Sequence, residues 1–108
     1  MTKNGFVDWA GTRRFAEEII AAYDVRTPGP DVAARALSGG NLQKFLMGRE
    51  LMQGASVIVI NQPTWGVDAA AAAQIRQSIL DRAGEGAAVV VISQDLDELL
   101  EVADTFAV

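Results

Sequence analysis

The sequence predicts an α/β fold, a helical segment leading into a small parallel βαβ sheet, and three observations carry that expectation. Apolar residues recur at i, i+4 and i+8 as Phe15, Ile19 and Tyr23, the spacing of an amphipathic helix. Two continuous β-branched runs, Val57–Ile60 and Val89–Ile92, have the pattern of parallel strands buried on both faces. Between them an alanine-rich stretch from Ala69 to about Arg82 supplies a crossover helix, for which a right-handed connection is expected.

Taken in order, the first helix spans Thr12 to Tyr23, with Arg13, Arg14, Glu17 and Glu18 filling its polar face. Asp24 to Arg35 holds Pro28, Gly29, Pro30 and Asp31, turn formers that end the helix and make a connector. Ser38 is placed to cap a second helix from about Gly39 to Met52, with Leu42, Phe45 and Leu46 on one side. After the second strand, Asp95, Asp97 and Glu98 put negative charge at the positive end of a helix whose Leu96, Leu99, Leu100 and Ala103 are expected to face inward. Phe106-Ala107-Val108 reads as the opening of a third strand, so the sheet is expected to be incomplete within this chain. The division expected is a helical segment over 1–36 and a core segment over 37–108. The run Ala69–Ala73 is plain helix propensity.

Composition narrows the chemistry. The 108 residues are 50% hydrophobic and 21% charged, an ordinary globular balance sufficient for one small domain or part of one. A net charge of −5 without any Lys/Arg cluster argues against nucleic acid as a partner. The absence of both cysteine and histidine removes disulfides, thiol chemistry, most zinc sites and every His-dependent triad. The apolar runs are far shorter than the ~18 residues of a membrane span and no signal-like N-terminus is visible, so a cytoplasmic chain is expected. Trp9, Trp65 and Tyr23 are expected to pack in a core or interface, with no ligand assigned to them.

The segment Leu37-Ser38-Gly39-Gly40-Asn41-Leu42-Gln43 has a physical logic. Two glycines let another group approach the backbone, and the helix that follows presents free N–H groups suited to an anion such as phosphate. Alone, a glycine-containing helix start explains the same residues. Two further segments change that. Leu37–Gln43 resembles the signature motif of ATP-binding-cassette (ABC) ATPases in its asparagine form. Ile58-Val59-Ile60-Asn61-Gln62-Pro63-Thr64-Trp65-Gly66-Val67-Asp68 resembles the family's Walker B strand and D-loop, and Val91-Ile92-Ser93-Gln94-Asp95-Leu96-Asp97-Glu98 resembles its switch segment. The resemblance covers roughly Ala36 to Val108 and implies a partial P-loop NTPase domain: a signature helical segment plus a truncated parallel sheet. Motif details are most similar to the second cassette of tandem ATPases in simple-sugar and nucleoside importers.

The sequence also departs from the family. Where an active cassette carries Asp-Glu and a switch histidine, this chain has Asn61, Gln62 and Gln94. An amide brings no charge to a hard cation and does not accept a proton from water, so no catalytic residue is expected here. No Gly-x-x-x-x-Gly-Lys-Ser/Thr loop occurs in the chain, so ATP binding by the chain alone is expected to be weak. The resemblance implies instead that Ser38, Gly39, Gly40, Asn41 and Gln43 contact, in trans, ATP bound on a partner cassette that also holds its Mg²⁺, with D-loop Asp68 across the same interface and no metal held by this chain. Asp68 equally suits a cap for the Ala69 helix, and both roles can hold. The implied partners are a second cassette, an integral membrane permease on the inner face of the cell membrane and, indirectly, a substrate-binding protein. Alternatives are a nucleotide-independent docking module for a permease or for a second copy, and a cassette acting outside transport. Unpaired strand edges also predict self-association.

Overall fold

The computed structural model describes residues 2–3, 5–32, 34–105 and 107. The chain opens with a short antiparallel hairpin, β1 (Thr2–Lys3) and β2 (Phe6–Val7), with Thr2 opposite Val7 and Lys3 opposite Phe6. Helix α1 follows over Trp9–Ala22, three residues earlier than the apolar spacing suggested. Asp8 explains the early start: its carboxylate accepts from Gly11 N–H at 3.0 Å and caps the helix. The connector contains turns and a short 3-10 segment at Ala34–Ala36, and it leads into α2, Gly39–Met52.

The remaining elements are β3 (Val57–Asn61), α3 (Ala69–Gly84), β4 (Ala88–Ile92) and α4 (Leu96–Val102). Strands β3 and β4 pair in parallel, Val57 beside Ala88 through Asn61 beside Ile92, with α3 as the connection. Both run one residue beyond the β-branched runs that marked them. Phe106 and Val108, which suggested a third strand, lie outside the described residues.

One apolar cluster joins these elements: Ile19 from α1, Tyr23 and Val25 just after it, Met47 and Leu51 from α2, Ile58 and Ile60 from β3, Ile75 and Ile79 from α3. Gly48 lies where α1 meets α2. A Cβ there would come within 2.6 Å of Ile19 Cγ2 and 2.8 Å of Tyr23 Cδ2, so only glycine lets the helices approach this closely.

Two expectations need correction. The strands are not buried on both faces: Ile58 and Ile60 are buried, whereas Val57, Val59, Val90 and Ile92 are more than half exposed. The β-branched runs reflect a sheet able to be covered twice, and this chain supplies the cover for one side only. In α4, Leu96 and Leu100 are exposed and Glu98 is the buried residue, at 3% exposure. Its carboxylate finds hydroxyl partners on two other segments, and that outweighs the apolar pattern. Of the three aromatics expected in a core or an interface, Tyr23 is in the core, while Trp9 and Trp65 are exposed in this chain, 76% and 73%.

Candidate functional site

The start of α2 is built from its first turn. Ser38 has an extended backbone and caps the helix, its Oγ accepting from Asn41 N–H at 3.2 Å and from Asn41 Nδ2 at 2.8 Å. With both of those contacts donated to it, the Ser38 hydroxyl proton is left to donate elsewhere. Asn41 Oδ1 accepts from the backbone N–H of Arg26 at 2.9 Å, so the same amide pins the connector to the helix start. Of the first-turn amides, that of Asn41 is taken by Ser38 Oγ and that of Leu42 by the Ser38 carbonyl at 2.9 Å. Those of Gly39 and Gly40 bond to no described residue, so they are the two backbone donors that the positive end of α2 presents.

The two glycines do different work. A Cβ on Gly39 would meet nothing within 4 Å, whereas one on Gly40 would lie 2.9 Å from the carbonyl oxygen of Gly66. Gly39 faces open space, and Gly40 lets the helix start rest on the 62–68 turn while its N–H stays unpaired among the described residues. Nothing in the motif itself reveals the Gly66 contact.

That turn leaves β3 at Asn61. Gln62 has a positive φ of 53°, rare for a side-chain-bearing residue, and its N–H continues the sheet by donating to the Ile92 carbonyl at 2.7 Å. Trp65 N–H donates to the Gln62 carbonyl at 3.2 Å, and Gly66 takes φ 73° before the chain enters α3. Asp68 caps α3 through Ala71 N–H at 2.8 Å, one of its two expected roles. Gln43 spans from α2 to the turn: its Nε2 donates to the carbonyls of Gln62 at 3.0 Å and Pro63 at 2.9 Å.

Asn61, Gln62 and Gln94 are brought together, with Gln43 and Trp65, around an open cleft of about 390 Å³. Gln94 N–H approaches Gln62 Oε1 at 3.5 Å, so the switch segment touches the end of β3. No carboxylate lines this cleft, and among the described residues no group of three or more His, Cys, Asp or Glu could hold a metal ion. Its donor set is four neutral amides and does not suit Mg²⁺, which is held through carboxylates and phosphates. Ser38, Gly39, Gly40, Asn41 and Asp68 do not line it.

Comparison with known proteins identifies the family. The chain is 43% identical over 104 residues to a glucose import ATP-binding protein of Haloferax volcanii, covering 94% of this chain and 19% of that protein. It is 41% identical over all 108 residues to a nucleoside import ATP-binding protein of Lactococcus lactis subsp. cremoris, 21% of that protein. The fold matches a dimeric ATP-binding cassette in a post-hydrolysis state bound to ADP and Pi, with TM-score 0.75 and 24% identity over 93% of this chain and 44% of that one. The chain belongs to the ABC ATP-binding proteins. It corresponds to a C-terminal part of a cassette and spans about a fifth of the length of the curated ABC relatives it matches. The ATP-binding cassette of another ABC transporter is similar at TM-score 0.61 and 26% identity, over 91% of this chain. No family model matches the chain.

Sequence reasoning missed Glu98. The Thr64 hydroxyl donates to its Oε1 and the Ser93 hydroxyl to its Oε2, the latter at 2.7 Å, so it ties the turn after β3 to the segment after β4. The available signal was the spacing of hydroxyls just after both strands, which is legible only once the strands are known to be neighbours.

Proposed function

We propose that this chain is the signature-bearing part of an ATP-binding subunit in an ABC importer for simple sugars or nucleosides, and that it serves ATP bound on a partner cassette. The observation that carries the reading is the first turn of α2: an exposed Ser38 with a hydroxyl proton to give, beside two unpartnered N–H groups at Gly39 and Gly40. Such donors at a helix N-terminus suit the γ-phosphate, and preorganised donors of this kind stabilise charge in phosphoryl transfer. Asn41 holds Ser38 in position, Gln43 fixes the helix start to the turn, and Asp68 stands on the flanking segment. Mg²⁺ would be held by the partner, since the amides Asn61, Gln62 and Gln94 offer it no charge and provide no base for water. The chain's own site is therefore non-catalytic in this reading.

The names of the relatives, glucose import and nucleoside import ATP-binding proteins, support the importer class. A permease would be engaged through the helical segment 1–36, and the work would take place at the cytoplasmic face of the membrane. Among the described residues no helix is long and apolar enough to cross a membrane.

The test is ATP turnover by the assembled importer. Ser38→Arg is expected to lower it by about a hundredfold, the scale of losing a preorganised donor, while replacing Asn61, Gln62 and Gln94 together by Ala leaves it within about twofold. Full activity in Ser38→Arg would refute the reading.

One observation favours a second reading, a nucleotide-independent docking or self-association module: the exposed apolar face of Val57, Val59, Val90 and Ile92. Light scattering on the isolated chain at high concentration would show dimers or larger species under this reading and a clean monomer against it.

A further inference from the structure

The turn between β3 and α3 is gripped from two sides by side chains from elements distant in sequence. On one flank, the single amide nitrogen of Gln43 uses its two hydrogens on two carbonyls, those of Gln62 and Pro63, at 3.0 and 2.9 Å. On the other, Glu98 accepts from the hydroxyls of Thr64 and Ser93 with both carboxylate oxygens. Glu98 is 3% exposed and is the one buried charged residue among those described. A buried carboxylate is costly unless its oxygens are satisfied, so its place is set by those hydroxyls. Gly40 adds a close approach to the same turn, since a Cβ there would lie 2.9 Å from the Gly66 carbonyl oxygen.

We propose that Gln43 and Glu98 are positioning residues that clamp the Gln62–Val67 turn from two separate helices, α2 and α4, making the start of α2, the turn and the segment after β4 one body. Ser38 and Gly39 then keep a fixed placement relative to the backbone of the turn, so that loosening the turn is felt at the helix start. This second consequence rests on the proposed role of Ser38 in trans; the clamp does not.

Hydrogen exchange of the 108-residue chain, read at the hydrogen-bonded turn amides of Gln62, Trp65 and Val67 and at Ile75–Ile79 of α3, tests the clamp. Gln43→Leu and Gln43→Glu both remove the two donated bonds at similar volume. Each is expected to speed exchange in the turn by about tenfold, the equivalent of one lost hydrogen bond, with α3 unchanged. Glu98→Leu should do the same, while Glu98→Gln, which keeps an acceptor for a hydroxyl, should restore most of the protection. Unchanged turn exchange in the Gln43 variants, or a rise shared equally by α3, overturns the clamp. If Glu98→Leu does not fold, the half-buried Gln43 position and Glu98→Gln decide. In the assembled importer, Gln43→Leu should then lower ATP turnover by about tenfold. A loosened turn with unchanged turnover overturns the coupling, whereas unchanged turnover in Ser38→Arg removes the trans reading and leaves the clamp to stand on exchange alone.

Discussion

The first turn of α2 and the cleft at the end of β3 are tied by Gln43, yet they carry opposite chemical equipment. The helix start has a hydroxyl with a free proton, two open backbone donors and the positive end of a helix, all suited to an anion. The cleft has neutral amides and an exposed indole, with no charge to hold a metal and no base to take a proton. Both regions keep their backbone architecture: the caps at Ser38 and Asp68 are made and the ladder runs through Gln62 to Ile92. In the proposed reading the backbone frame is kept at both places, and the amides at Asn61, Gln62 and Gln94 deny the cleft the charge and the base that hydrolysis uses.

Substitutions at paired positions sharpen this comparison. The largest expected effect is at Gly40. Gly40→Ala puts a methyl 2.9 Å from the Gly66 carbonyl oxygen, and the backbone adjustment it forces should cost about 1–3 kcal/mol in denaturant unfolding. An unchanged midpoint would show that the helix start and the turn are not in tight contact. Next come the two caps: Ser38→Ala and Asp68→Ala each remove one side-chain bond to a helix amide, and thermal unfolding should register about 1 kcal/mol for each. The smallest effect on stability belongs to Gly39→Ala, where nothing lies within 4 Å. Its folding should be unchanged or improved by up to about 1 kcal/mol, since alanine is the better helix former. The same methyl occupies the space left for a ligand, so turnover in the assembled importer should fall although stability does not. A variant as active as the parent would move the ligand away from Gly39.

Much of this was legible in the sequence, and the reasons differ by element. Ser38 and Asp68 announce their caps because a cap is a local event, an oxygen meeting an amide three residues on. The strands and α3 follow from β-branched runs and helix propensity over stretches long enough to average out exceptions. Helix α4 has only seven residues, too few for its apolar spacing to fix which side faces inward. The outcome was set by Thr64 and Ser93, thirty-four and five residues from Glu98. The exposed Val57 and Val59 have a related cause, because residue type reports what a face can be covered by and not what this chain supplies. The opening hairpin was missed although Asn4-Gly5 is a turn signal, and Gly5 takes the positive φ of 80° that favours glycine. In the candidate site, the residues could be named from the motifs. Which glycine faces open space and which one packs on Gly66 is a distance between segments some two dozen residues apart, and that is visible only in three dimensions.

If the donors at the start of α2 serve a nucleotide bound elsewhere, the chain's own cleft is not a self-sufficient nucleotide site. Calorimetric titration of the isolated chain with Mg-ATP should then give no saturable heat up to the low-millimolar range, where a Kd of about 1 mM corresponds to about −4 kcal/mol. Saturable binding in the micromolar range would contradict it, and would mean that the amide cleft, alone or completed by a second copy, holds ATP by itself.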